Sequence, residues 1–281
     1  MLEVPAVPRS IALGIDMLAV RTATLPPATH TNCYALGTDD VVIVEPAAEN
    51  DSEAAAFVSW VRSMNARVLA IVVTHHHVDH AGGAMRLSTE LKVPLWAHAA
   101  TAERVKGAVF DRLLKDGDEI VLGGRVEQRW RVLHTPGHAP GHVCLHEPNA
   151  GALVLGDMVA SQGTILIAPG EGDMIAYLSQ LERLEALEAR LGLPSHGEPM
   201  EKPSELLRKT RAHRLMREEK VVAAFAGCGE GGATADDLLE LAYADTPLMV
   251  WPIARLSLLS HLEKLEREGR VRRRGDRWFS R

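Results

Sequence analysis

The stretch Val68-Leu69-Ala70-Ile71-Val72-Val73-Thr74-His75-His76-His77-Val78-Asp79-His80 decides the expected fold. Its first six residues are apolar and mostly β-branched, which predicts a strand that is buried on both faces of a sheet. The histidines begin where this strand ends, and open α/β sheets place their chemistry just outside the carboxyl ends of their strands. Ala81-Gly82-Gly83 come next and allow a tight turn into a helix.

Four side chains of this stretch are of the metal-binding type: His75, His77, Asp79 and His80. Imidazole and carboxylate together suit zinc or a similar divalent ion. His75 and His77 are two residues apart, so in an extended segment they point to the same side, whereas a helical zinc motif spaces its histidines by four. The loop is therefore suited to two neighbouring metals; a histidine-rich surface loop that binds nothing is the alternative.

Composition bounds the class of protein. The 281 residues fit one large or two modest domains, and a hydrophobic content of 46% is ample for a core. Residues 1–204 hold 16 Lys/Arg and 25 Asp/Glu, and residues 205–281 hold 15 Lys/Arg and 12 Asp/Glu. An acidic first part therefore precedes a mildly basic tail. Three scattered cysteines indicate a reduced, disulfide-free protein. Glu3, early prolines and Asp16 make a poor signal peptide, and no apolar run approaches 18 residues, so we expect a cytoplasmic protein without a membrane span.

Alternating and apolar patterns predict a series of strands and helices on either side of this stretch. The first helix, over 50–65, is expected to start at Asp51 or Ser52, and further helices are expected near 80–91, 100–106 and 173–190. The predicted strands are Ile11–Ile15, Met17–Arg21, Asn32–Leu36, Val41–Val44, Val93–Ala97, Glu119–Leu122, Val126–Leu133, Val143–His146 and Ala152–Leu155.

Ligand-type residues recur where other strands end. The tight loop at 134–142 holds three histidines, of which one is expected to be a ligand. Gly156-Asp157 follows the strand that ends at Leu155, and a lone histidine, His196, lies in the loop 193–197. An isolated Asp157 would more often be a helix cap or a turn former, but several such loops together are what a rigid binuclear site requires.

Taken in order, these motifs resemble the signature of the metallo-β-lactamase fold superfamily over about residues 10–200. The resemblance implies an αββα sandwich, and it implies a ligand set. The ligands implied for the first metal are His75, His77 and His138. Those implied for the second are Asp79, His80 and His196, with Asp157 as the carboxylate that bridges both metals.

The remaining polar residues of these motifs have other expected roles. His138 is chosen within its loop because the family's ligand follows a Gly or Cys and precedes a small residue; His134 and His142 are then structural or support the ligands. His76 fills a variable position of the motif. Asn32, which precedes a strand, is expected to hydrogen bond to the backbone rather than to act in catalysis.

The tail is expected to form a small winged-helix domain. Thr234 is the predicted cap of one helix, Trp251 to Glu268 form a long amphipathic helix, and Arg270 to Phe279 form a hairpin with a Gly-Asp turn. The predicted domains are 1–204 and 205–281. This arrangement resembles the β-lactamase-like-protein-2 group, whose mitochondrial member is a single-strand endoribonuclease and whose fungal and bacterial relatives include acyl-carrier-protein thioesterases. The wing's arginines either track a phosphate backbone or form a solvated hairpin.

The resemblance implies a zinc-dependent hydrolase with two zinc ions per chain, in which a metal-bridging hydroxide attacks an ester-like bond. Asp79 is expected to orient that hydroxide as well as to bind the second metal. The expected substrate is a small-molecule thioester or ester, as in glyoxalase II-like hydrolases, or single-stranded RNA. The alternatives are a mononuclear iron, persulfide dioxygenase-like oxidoreductase and a non-catalytic nucleic-acid-binding protein. The sequence leaves the oligomeric state open, a homodimer included.

Overall fold

The computed structural model describes residues 7–229 and 231–281, so Glu3 and Pro5, which were cited against a signal peptide, lie outside the described residues. The described chain forms two compact units, and the predicted domain boundary at 204/205 stays a prediction. The first unit comprises the described residues up to Thr135, with Pro140–Thr164 and Glu188–Pro203; the second comprises Pro136–Ala139, Ile165–Leu187 and the described part of Ser204–Arg281.

The first sheet of the first unit has seven strands, which lie side by side in the order of the chain. The first four pair antiparallel, and the last four pair parallel. Their carboxyl ends therefore reach the same edge from the fourth strand onward. The strands are β1 (Arg9–Ala12), β2 (Ile15–Arg21), β3 (His30–Gly37), β4 (Asp40–Val44), β5 (Arg67–Val73), β6 (Leu95–His98) and β7 (Arg112–Leu114).

Four helices belong to this part of the chain: α1 (Asp51–Ser63), α2 (Val78–Ala81), α3 (Ala84–Leu91) and α4 (Ala99–Ala102). Phe57 and Trp60 of α1 pack in one apolar cluster with Ile71 of β5. The predicted start of α1 at Asp51 is confirmed, and the side chain of the preceding residue, Asn50, accepts the backbone N–H of Glu53 and caps the helix.

A second sheet packs against the first through an apolar cluster that contains Tyr34, Val72 and Trp130, all fully buried. Its strands are β8 (Glu119–Leu122), β9 (Gln128–His134), β10 (Val143–Glu147), β11 (Ala152–Gly156), β12 (Leu191–Pro194) and β13 (Met200–Glu201). They lie side by side in the order β13-β12-β11-β10-β9-β8, and β11 and β12 are parallel neighbours. The first unit thus has a layer of helices, a first sheet and a second sheet.

The second unit is mainly helical and ends in a small sheet. Its elements are α5 (Met174–Glu185), α6 (Pro203–Ala224, of which the unit takes all but Pro203), β14 (Ala233–Thr234), α7 (Ala235–Ala242), α8 (Trp251–Arg267), β15 (Val271–Arg274) and β16 (Arg277–Ser280). The predicted hairpin is confirmed by the antiparallel pairing of β15 with β16. The predicted cap is confirmed too: Thr234 and Asp237 form a capping box at the start of α7.

Leu238, Leu258 and Trp278 are buried in the apolar core of this unit, which joins α7, α8 and the hairpin. Among the described residues, no helix combines the length and the apolar character that crossing a membrane would require.

Candidate metal centre

The histidine stretch leaves the end of β5 in an extended loop and enters α2 with its second half. His75 is fully buried, and its Nε2 lies 3.0 Å from Nδ1 of His77. The two rings therefore point to the same side of the loop, as their spacing predicted. His77 is the extended residue that precedes α2, so Asp79 and His80 lie in the first turn of that helix.

Four of the predicted ligands converge beside this loop. Nε2 of His80 lies 3.6 Å from a carboxylate oxygen of Asp79 and 3.6 Å from one of Asp157. Nε2 of His196 lies 3.6 Å from Asp79 and 3.4 Å from Asp157. Because β11 and β12 are parallel, Asp157 and His196 emerge at the same edge of the second sheet. The structure thus brings together side chains that are 117 residues apart in the sequence.

The cluster is electrostatically coupled. Burial opposes the charged form of His80, but the carboxylates of Asp157 and Glu45 outweigh it and hold the His80 pKa well above its ordinary value. Burial would raise the pKa of Asp157, yet His80 and His196 hold it well below its usual range. Burial likewise opposes the charge on His196, whose pKa is raised by Asp157. Positive charge is therefore favoured at the point where these groups meet.

This arrangement fits a bound cation. Nε2 of His80 is buried and has no hydrogen-bond partner among the described residues. Its carboxylate neighbours at 3.6 Å are beyond ordinary N–H···O distances of about 2.7–3.2 Å. Two ligands of a tetrahedral zinc at about 2.0–2.2 Å would lie roughly 3.3–3.6 Å apart, which is the spacing observed. The residues present therefore suit zinc better than they suit direct hydrogen bonding.

The other ring nitrogen of each histidine is bonded to the protein. Nδ1 of His80 lies 3.1 Å from Glu45 Oε1, and Nδ1 of His196 lies 2.9 Å from the carbonyl oxygen of His30. These oxygens only accept, so each Nδ1 donates when the ring is neutral and each Nε2 lone pair faces the cluster. Such partners fix the tautomer and the orientation of histidines that bind metals.

Glu45 is a functional residue that the sequence reasoning missed. It is fully buried, directly follows β4 and accepts hydrogen bonds from the hydroxyls of Thr74 and Ser195 as well as from His80. Because the Thr74 hydroxyl donates to Glu45, it is free to accept from Nδ1 of His75, 3.0 Å away. Glu45 thus orients His80 directly and His75 through Thr74. The available signal was an acid directly after the apolar run 41–44, at the same edge as the metal loop.

His138, the remaining predicted ligand, lies in the short segment Pro136–Ala139 of the second unit. Its Nδ1 lies 2.8 Å from the carbonyl oxygen of Leu166, so its Nε2 carries the lone pair. Both ends of this segment continue into the first unit, where the backbone N–H of Val143 donates to the carbonyl of Thr74 over 3.0 Å. The role of His138 in the first metal site stays a prediction.

The histidines that were not predicted as ligands have protein partners. His142 approaches Thr135 Oγ1 at 2.8 Å through Nδ1 and accepts the backbone N–H of Asp157 at 3.0 Å through Nε2. Gly156 makes this possible, since it adopts φ 52° and a Cβ there would lie 2.4 Å from that Nε2. His134 stacks on His98 with ring centroids 4.0 Å apart. His142 thus holds the turn that presents Asp157.

Asn32 anchors the loop of His196. Its side-chain amide donates to the carbonyl oxygens of Pro194 and Gly197, at 3.0 and 2.7 Å. The prediction that Asn32 bonds to the backbone is confirmed. His76 is half-buried beside the ligands.

The layered fold, with imidazole and carboxylate groups gathered where its strands end, is the one expected of a metallo-β-lactamase superfamily hydrolase. A family model confirms this: the model described as "Metallo-beta-lactamase superfamily" matches residues 26–196, and the chain belongs to that superfamily. A second model, described as "Beta-lactamase associated winged helix domain", matches residues 234–278. The predicted family and fold class, including the C-terminal winged helix, are confirmed.

Individual relatives agree with this assignment. The "Beta-lactamase-like protein 2 homolog" of Drosophila melanogaster is 27% identical over 280 residues, which cover 96% of this chain and 93% of the relative. An "Atrochrysone carboxyl ACP thioesterase" of Aspergillus chevalieri is 26% identical over 190 residues, or 64% of this chain and 57% of the relative. The crystal structure of a metallo-beta-lactamase family protein from Thermus thermophilus superposes with a TM-score of 0.79 at 25% identity, covering 97% of this chain and 100% of that one.

Proposed function

We propose that this chain is a dinuclear, zinc-dependent hydrolase of ester-like bonds. The observation that carries the proposal is the meeting of Asp79, His80, Asp157 and His196, with nitrogen-to-oxygen distances of 3.4–3.6 Å around a buried Nε2 that has no hydrogen-bond partner among the described residues. Membership of the superfamily supports it. The number and the identity of the ions are part of the proposal.

The residues divide between two ions. His75, His77 and His138 would hold one, and Asp79, His80 and His196 would hold the other, with Asp157 shared. Bound zinc would lower the pKa of a water molecule to about 7 and polarise the oxygen of the scissile bond.

Asp79 is the residue that would act on the attacking water. Its side chain is 15% exposed, against 0% for His80 and 9% for Asp157, so it is the cluster carboxylate most open to solvent. As a hydrogen-bond acceptor, Asp79 would orient the water and hold one of its protons. The Nδ1–H of His80 donates a hydrogen bond to Glu45, and the Nδ1–H of His196 donates one to the carbonyl of His30, so neither ring is free to turn during the reaction.

The first substrate candidate is a small thioester or ester. A cavity of about 360 Å³ opens beside Asp79, with Arg21, Ala47 and Val78 in its wall. Apolar side chains form much of this wall, and Arg21, Glu49 and Asp79 are its charged groups, which suits an acyl chain that lies next to the proposed metal site. Similarity to a protein named as an acyl-carrier-protein thioesterase supports this class of substrate.

The second candidate is single-stranded RNA, and the hairpin of the second unit favours it. Arg272 pairs across the hairpin with Phe279, and Arg274 pairs with Arg277, so these four side chains share one face. The three arginines are exposed. Guanidinium groups beside an aromatic ring are a usual surface for phosphates and bases of a single strand.

A paired assay tests the proposal and separates the substrates. Purified protein is incubated with a panel of acyl thioesters and, separately, with labelled single-stranded RNA, before and after metal removal by a chelator and zinc return. We expect turnover of one class, its loss on chelation and its recovery with zinc. His80→Ala should lose turnover, while His146→Ala, which changes a half-buried histidine of β10, should keep it. Turnover that chelation does not affect would refute the proposal, and one iron per chain with persulfide oxidation would identify the dioxygenase alternative.

A further inference from the structure

We propose that helices α6 and α8 position the candidate metal ligand His138, with Arg214 and Ser260 as positioning residues. The inference rests on the proposed function, because it takes His138 as a ligand. It assigns the C-terminal helices a part in the metal site, in addition to any role of the hairpin in binding substrate. All the residues concerned belong to the second unit.

The three consecutive residues Ile165, Leu166 and Ile167 connect the helices to His138. The carbonyl of Leu166 accepts from Nδ1 of His138 over 2.8 Å. The carbonyl before it, of Ile165, accepts from the guanidinium of Arg214 on α6. The carbonyl after it, of Ile167, accepts from the hydroxyl of Ser260 on α8 over 2.6 Å.

The flanking bonds hold the middle carbonyl in place. Residues 165–169 belong to no helix or strand, so no ladder of backbone hydrogen bonds fixes the orientation of these peptide groups. Because each peptide unit is planar, the carbonyl of Leu166 turns only by rotation about its neighbouring Cα atoms. Bonds from Arg214 and Ser260 restrain the peptide groups on both sides. The direction of the Leu166 carbonyl, and with it the ring of His138, is therefore set from α6 and α8.

The backbone next to His138 is tied to helices α5 and α8. The carbonyl of Gly137 accepts the backbone N–H of Asp173 over 2.8 Å, and the carboxylate of Asp173 pairs with Arg267 of α8 over 2.7 Å. Gly137 itself lies so close to α5 that a Cβ would be 2.4 Å from the Cα of Tyr177. Neither the ring nor the backbone of His138 is held by its own loop alone.

The burial of Arg214 is informative, because a guanidinium is rarely taken out of water without a task. Arg214 is 5% exposed, and its charged group lies 5.8 Å from the centre of the Tyr177 ring. Ser260, at 3% exposed, is equally enclosed. Two buried polar side chains on separate helices thus donate to carbonyls two residues apart, with the carbonyl that holds the predicted ligand between them.

The test measures zinc affinity in the full-length protein stripped of metal, by competition with a chromophoric chelator. Removing a supporting partner of a ligand costs about 10–100-fold in metal affinity, so we expect about tenfold weaker binding for Ser260→Ala and for Arg214→Met at one of two sites. It should be the site that His138→Ala abolishes. Ser260→Thr, which restores the hydroxyl, should restore affinity, and the cobalt(II) absorption spectrum should change in Ser260→Ala and recover in Ser260→Thr.

Ser257→Ala is the matched control, since it removes another buried hydroxyl of α8 and keeps the bond of Ser260 to Ile167. Normal zinc affinity in Ser260→Ala and Arg214→Met, beside a lost site in His138→Ala, would overturn the inference and leave the proposed function standing. Should Arg214→Met fail to fold, Ser260→Ala decides alone. Two sites of normal affinity in His138→Ala would overturn the inference together with the ligand assignment on which it rests.

Discussion

Replacement of Glu45 by Gln is expected to weaken zinc binding at both proposed sites. Glu45 Oε1 lies 3.1 Å from Nδ1 of His80, and it accepts the Thr74 hydroxyl that in turn lies 3.0 Å from Nδ1 of His75. Gln keeps the size and one acceptor oxygen but loses the negative charge. One ligand of each proposed site therefore loses its charged support.

The magnitude follows from these contacts. A hydrogen bond to a charged group contributes about 1.5–3 kcal/mol, and a neutral one about 0.5–1.5 kcal/mol, so the His80 bond weakens by roughly 1–1.5 kcal/mol. At about 1.4 kcal/mol per tenfold, zinc affinity at the site of His80 falls about tenfold. The effect on the site of His75 is smaller, because it passes through the hydroxyl of Thr74.

The assay is a zinc competition with a chromophoric chelator on wild type, Glu45→Gln and Glu147→Gln. Glu147 is the matched control: it is also a buried glutamate of the first unit, but it accepts the backbone N–H of Ala150. Thermal unfolding of the metal-free proteins would show whether the two substitutions cost similar stability. Wild-type zinc affinity in Glu45→Gln, or an equal loss in Glu147→Gln, would refute the role given to Glu45.

Three further changes probe other parts of the molecule. Asp79→Ala should lower kcat at least about 100-fold with an unchanged circular dichroism spectrum, and full turnover would contradict a two-metal mechanism. Burial would raise the pKa of Glu218, but His261 and Lys264 hold it below its ordinary value. The charge of Glu218 therefore stabilises the fold above about pH 4.3, and this contribution is lost as pH falls through the lower pKa of the folded state. Glu218→Gln should lower the free energy of unfolding by about 3 kcal/mol at pH 7, measured in urea, and the difference from wild type should shrink below pH 4. If single-stranded RNA is bound by the hairpin, replacing Arg272 and Arg274 by Gln should reduce the salt dependence of log K by about 1.4, and an unchanged slope would exclude these contacts.

Much of the first unit was predictable because its signals are local. The run before the histidines is continuously apolar and mostly β-branched, so about a dozen residues are enough to predict β5 and the loop after it. The spacing of His75 and His77 fixes their common side in the same way. In the hairpin from Arg270 to Phe279, the dipeptide Gly275-Asp276 predicts the turn, and the structure has strands on both sides of it.

What the sequence did not reveal depends on contacts between distant residues. In the sequence, Glu45 is an ordinary acidic residue after a strand. Its role depends on the fold, which brings it into contact with Ser195, 150 residues later. The segment 165–167 has no periodicity to indicate structure, because side chains of α6 and α8 hold its carbonyls. The sequence did not identify the cap of α1 either, since Asn50, Asp51 and Ser52 are all good capping residues and only the geometry selects Asn50.

The most direct measurement is the anomalous scattering of a crystal of the zinc-loaded protein, recorded above and below the zinc absorption edge. The account predicts two zinc peaks per chain, about 3.5–4 Å apart. One should contact Nε2 of His80 and Nε2 of His196, and both should contact the carboxylate of Asp157. A map with no peak at these atoms, or with a single iron in their place, would contradict it.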